Sequence, residues 1–264
     1  MNVKPLASAI AATLLLVGAA EASNLISDPT FSVYGTTALS DSGVGSYFQS
    51  NILSDWTTPD STTSFLYLNG QGNGNINQNG GSCSTPGSTN NCFALWNSTN
   101  GGHGSVLTGA PTGNIIVADA DSTYHQSFST TVSGLTVGQT YHLTFYQNAG
   151  QQNGYGSLGN SINAYWQVTF GSSTEDAASM TAAYQRLAGW EEETLTFTAT
   201  AVSETLTFLA ESTSTGSVPP FALLGDVSLV STAPEPVSFG IMGLGFLVLG
   251  LAARKRIKNR ANRN

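Results

Sequence analysis

The chain has 264 residues, 40% of them hydrophobic and only 9% charged, with 16 Asp+Glu against 8 Lys+Arg. Seven of the eight cations fall in the first 22 or last 11 residues, so residues 23–233 hold Arg186 alone against fourteen carboxylates, a net charge of −13. Such a region has no cation cluster to displace phosphate counterions, which excludes nucleic-acid binding and disfavours anionic lipid.

Residues 1–22 begin with Lys4, continue through an apolar stretch from Leu6 to Ala20, and close with Ala20-Glu21-Ala22. A positive start, a short apolar core and a small-x-small ending predict a cleaved signal peptide, with Ser23 as the first mature residue. The stretch is short for a spanning helix, which needs about 20 apolar residues.

From 23 to 231 the pattern is that of β-strands. Strand-like runs fall at 24–34, 64–68, 92–97, 114–118, 124–131, 141–148, 163–170, 193–199, 205–210 and 221–230. Period-two alternation is clean where Leu143 and Phe145 share a face, as do Trp166, Val168 and Phe170, then Leu195 and Phe197, and Leu206 and Phe208. Trp166 is expected in the core. One helix-like window, 175–187, is short. About ten strands separated by glycine-rich turns predict an all-β fold, a two-sheet antiparallel sandwich, in a single domain over 23–231.

Two long Gly/Asn/Gln/Ser loops interrupt the strands, at 69–91 and 150–159. The only cysteines, Cys83 and Cys92, lie nine positions apart, and in an oxidising compartment they are expected to form a disulfide. A ligand site, if the domain has one, is expected on the rim where Tyr146, Gln147, Asn148, Gln151, Gln152 and Tyr155 follow one another. Amides both donate to and accept from sugar hydroxyls, and a tyrosine ring offers an apolar face to a pyranose.

Catalytic signatures are missing from the sequence. No G-x-S-x-G elbow occurs, His103, His125 and His142 are scattered, and Glu191-Glu192-Glu193 reads as a solvated strand start. Asp119 and Asp121 read as turn-formers. The protein is therefore expected not to be an enzyme.

The C-terminus closes with three parts. A linker over 232–236 contains Pro234-Glu235-Pro236, residues 237–253 are uncharged and mostly apolar, and 254–264 carry six cations. Seventeen helical residues span about 26 Å, near the lower limit for a bilayer core. The basic tail would stay cytoplasmic, leaving 23–233 outside. The expectation is a single-pass inner-membrane segment with the domain on the periplasmic side.

This ending resembles the PEP-CTERM sorting signal of Gram-negative bacteria. The resemblance implies processing by an exosortase and transfer to the cell surface or extracellular matrix. Within the domain, Asn24-Leu25-Ile26 with Phe31, then Gly134-Leu135 through Gly138-Gln139-Thr140-Tyr141, and Pro219-Pro220-Phe221 through Asp226-Val227 resemble galactose-binding-like jelly rolls and related carbohydrate-binding modules. That family implies a jelly-roll sandwich and a module contacting exopolysaccharide without catalysis. Its alternatives are a purely structural envelope protein and a glycan-active hydrolase. No cofactor is expected. The family's structural calcium would use Asp226, although Ser32 and Gly225 stand where the resemblance implies further oxygen ligands.

Overall fold

The computed structural model describes residues 23–33, 46–47, 53–57, 64–67, 75–77, 92–98, 101–106, 108–153, 160–214 and 219–232. Thirteen strands are present among them. They are β1 (Ser46–Tyr47), β2 (Ser64–Tyr67), β3 (Asn75–Asn77), β4 (Cys92–Ala94), β5 (Ile115–Asp119), β6 (Ser127–Ser133) and β7 (Thr140–Gln151), then β8 (Ile162–Phe170), β9 (Ser173–Asp176), β10 (Met180–Ala182), β11 (Glu191–Thr198), β12 (Ser203–Glu211) and β13 (Pro220–Ser231).

They form the expected all-β sandwich of two antiparallel sheets. One sheet runs β1-β2-β5-β13-β7-β11; the other runs β10-β8-β12-β6, with β9 sharing the outer edge of β8 with β10. A separate pair joins β3 to β4. The alternation read from sequence sets which side chains face inward. Leu143 and Phe145 of β7, Leu195 and Phe197 of β11, and Trp166, Val168 and Phe170 of β8 are all buried between the sheets. Phe208 of β12 is the hub. It stacks on Phe128 at 5.9 Å and meets Phe145 and Trp166 edge-on at 5.2 and 6.1 Å. Each fully buried phenylalanine contributes roughly 1.5–3 kcal/mol through area removed from water.

A second apolar layer lies on the opposite face of the six-stranded sheet. Ile115, Val117, Phe221 and Leu223 point away from the main core, where Leu95, Val106, Leu187 and Trp190 cover them. Trp190 is fixed there by its indole N–H, which donates to the Val106 carbonyl at 2.7 Å. This layer is why β5 and the first half of β13 are buried on both faces.

Two expectations are corrected. The helix-like window is not a helix: 173–182 form β9 and β10 along the edge of β8. Four alanines raise the helical propensity of 175–187, but backbone pairing to an open strand edge decides the outcome. Of the run 24–34, expected as a strand, the described residues, 24–33, are instead turns and irregular backbone. Asp28 closes the turn there by accepting from the Ser32 N–H and Oγ at 2.9 and 3.1 Å and the Val33 N–H at 3.0 Å. Residues 237–253, Cys83 and Pro234-Glu235-Pro236 lie outside the described residues, as does the side chain of Cys92.

Candidate functional site

The rim residues expected to meet a ligand separate into two groups. Gln147, Asn148 and Gln151 are fully buried, each spent on the fold. Gln147 donates to the Ala178 carbonyl at 2.9 Å, tying β7 to the segment between β9 and β10. Asn148 Oδ1 accepts from the N–H groups of Ala149 and Gly189, at 2.8 and 2.9 Å. Gln151 donates to the Asn160 carbonyl at 2.7 Å and accepts from the Gln185 N–H at 3.0 Å. These three amides are not turned toward solvent, because the second apolar layer and the β9–β10 segment close over that end of β7. Tyr146 is half-buried on the outer face, opposite Glu192 and Gly225. Gln152 is half-buried and pairs with Leu95. Tyr155 lies outside the described residues.

Asp226 sits at the bulge of β13 with φ +47°, half-buried. Burial pushes its carboxyl above the ordinary carboxylate range, against a lowering hydrogen bond with Thr112. The nearby Asp28 carboxylate is already filled by its own turn, and Ser32 bonds Asp28 instead of offering a carboxylate. Among the described residues no three His, Cys, Asp or Glu side chains gather to hold a metal. The donor set around Asp226 does not fit the several carboxylates a calcium usually takes. Asp119 and Asp121 form a turn as expected. Asp119 accepts from the Asp121 N–H at 2.9 Å, and Asp121 from the Thr123 N–H at 2.9 Å.

The strongest polar constellation on a sheet face was not singled out in the sequence. On β8 the residues between the core positions are Asn163, Tyr165, Gln167 and Thr169, all half-buried on the outer face of the second sheet. Tyr165 pairs with Glu211 of β12, and Gln167 with Asp176 of β9. Gln167 donates to the Asp176 carboxylate at 3.1 Å, and His125 Nδ1 lies 3.3 Å from Glu211 Oε1. Burial pushes the Tyr165 hydroxyl up, reinforced by the charges of Asp176 and then Glu211. It therefore stays a neutral donor with an aromatic face beside it. Hydroxyl ladders continue along the same sheet, with Thr169 and Thr174 at 2.9 Å and Ser133 and Ser203 at 3.1 Å. Once Trp166 is read as core, Tyr165 and Gln167 must face out. That signal was present in the alternation.

No protein-family profile and no curated protein matches the chain. Solved structures do match. A family 61 carbohydrate-binding module bound to β-1,4-galactotriose is 14% identical, covering 53% of this chain and 82% of its own, with a TM-score of 0.28. The N-terminal cellulose-binding domain of Cellulomonas fimi β-1,4-glucanase C is 18% identical over 54% of this chain and 90% of its own, with a TM-score of 0.26. A Bacteroides thetaiotaomicron protein described as sugar-binding is 10% identical over 80% of this chain and 100% of its own, with a TM-score of 0.32. At these identities and scores no ligand and no residue role passes to this chain.

Proposed function

We propose that this protein is an exported, surface-held module that contacts a neutral glycan without catalysis, through the outer face of the β10-β8-β12-β6 sheet. One observation carries the reading: Tyr165 stands half-exposed on an open strand face with an amide at Gln167 and carboxylates at Asp176 and Glu211 around it. A pyranose presents a C–H face to a ring and hydroxyls to amides and carboxylates, and this grouping offers all three partners. The charge of −13 over 23–233 turns away anionic polymers, so a neutral exopolysaccharide is the fitting class. Export by residues 1–22, exosortase sorting through Pro234-Glu235-Pro236 and the span 237–253 complete the proposal.

The test is retention of the protein on the host's exopolysaccharide. Tyr165→Ala and Gln167→Ala should each weaken retention about tenfold, with the melting temperature within a few degrees of wild type. If Tyr146→Ala or Tyr155→Ala abolishes retention and Tyr165→Ala does not, the site belongs on the β7–β8 rim. Absence of retention by the wild type would favour the structural envelope role, and release of new sugar ends would favour a hydrolase.

A further inference from the structure

The end of the sandwich opposite Tyr165 has an unusual composition. The β6–β7 turn, the β8–β9 turn and the β11–β12 turn meet there. Leu135 donates to the Val202 carbonyl at 3.1 Å, Gly138 to that of Ala199 at 2.8 Å, and Gly171 to that of Thr205 at 3.0 Å. None of the residues 133–140, 170–173 or 198–203 is charged, in a region whose net charge is −13. Glu204, just beyond, is buried, and its Oε1 is taken up by Thr200 and Ala201 of the turn. At the tips stand Val137, 59% exposed, and Val202, 68% exposed, the two most exposed large hydrophobic residues among those described.

Ser23 and Thr232, the first and last residues of the domain, lie at this same end. Thr232 donates to the Thr140 carbonyl at 3.0 Å, and Gln139 donates to the Thr232 carbonyl at 2.9 Å. Leu25 donates to the Leu229 carbonyl at 2.9 Å, running antiparallel to β13, so Ser23 lies beside the end of that strand. From Thr232 to Val237, where the expected membrane span begins, is five residues, at most about 17 Å when extended. By contrast Glu211 lies eight residues along β12 from Ser203, about 26 Å away.

We infer that this uncharged end rests on the bilayer, with Val137 and Val202 entering the headgroup region of a zwitterionic lipid surface. The inference rests on the proposal that 237–253 spans the membrane. Carrying an exposed carboxylate into the headgroup region would strip its water at a cost, and this end is where the facing turns have none. Valine side chains remove apolar surface from water on entering the interface. Cleavage after Ala22 would add one amino group at Ser23, a partner for lipid phosphate.

The test uses the full chain reconstituted in phosphatidylcholine vesicles. A fluorescent amino acid is placed at position 137, 202 or 122, the last an exposed residue in the β5–β6 turn at the far end. A quencher carried on the lipid acyl chain should reduce emission at least twofold at 137 and 202 and leave 122 unchanged. Vesicle flotation is measured on the same samples. Equal quenching at all three positions, or none at 137 and 202, in protein that floats with the vesicles overturns the orientation while leaving the anchor intact. Protein that does not float overturns the membrane span itself, and the orientation with it. Val137→Asp with Val202→Asp, in a chain that still floats, should lower lipid-borne quenching of a probe at position 136 at least twofold; unchanged quenching counts against the inference.

Discussion

The indole N–H of Trp166, on β8, donates to the backbone carbonyl of Leu223, on β13, at 3.1 Å. The bond crosses the core and joins the two sheets by something other than apolar contact. Trp166→Phe should remove it, shrink the side chain and leave the Leu223 carbonyl one partner short, at a cost of about 2–3 kcal/mol. A denaturant midpoint shift with an unchanged m-value is the expected result. A loss under 1 kcal/mol would show that the carbonyl is served elsewhere.

Asp119 closes β5 with its carboxyl buried and its pKa raised from 3.8 to about 6. Burial is the largest cause; the Asp121 N–H lowers it, the Asp121 charge raises it and His125 lowers it. The folded state thus holds this proton more tightly than the unfolded chain, so stability falls as pH rises from about 4 to about 6 and changes no further above. Asp119→Asn keeps an oxygen for the Asp121 N–H and removes the buried charge. The variant should gain up to about 3 kcal/mol at pH 7 and almost nothing at pH 4. A stability difference that does not change with pH would contradict this.

Asp226→Asn probes the bulge of β13. Asparagine tolerates the left-handed backbone at φ +47° and keeps an acceptor for Thr112. Stability at pH 7 should be equal or slightly higher, and a chelator should leave the melting temperature of wild type unchanged within about 1 °C. A calcium held at Asp226 would give the opposite pattern, with wild type losing stability to the chelator and the variant already destabilised.

Sorting is tested by changing Pro234 and Glu235 to alanine in a host with an exosortase. The full-length chain should accumulate in the inner membrane, whereas wild type should appear as a shorter surface or released form. Identical masses and identical fractionation would end the sorting proposal.

The sandwich was legible because the inner faces of β6, β7, β8, β11 and β12 obey the strand period. Phe128, Leu143, Trp166 and Phe208 each sit where alternation puts them. The two short strands along the outer edge of β8 were not legible, since β9 has four exposed residues and β10 only three residues in all, leaving no apolar stripe to read. The rim was misread for a different reason. Gln147, Asn148 and Gln151 carry the composition of a binding surface, but their neighbours in space are Ala178, Gly189, Asn160 and Gln185, between 9 and 41 positions away. Amides serve backbone groups and sugar hydroxyls equally well, so only the packing of Leu95, Val106, Ala178 and the 185–190 segment around β7 distinguishes the two uses.

β13 occupies the middle of its sheet, laddered to β5 on one side and β7 on the other, and it is the strand from which the chain continues to Thr232. In a chain held by its C-terminus and loaded through Tyr165 at the far end, tension runs along β13 rather than across it. Both ladders would then have to slide in register, with many hydrogen bonds yielding together instead of opening one after another. Held and loaded in that way, the domain would carry a pulling load lengthwise along its central strand.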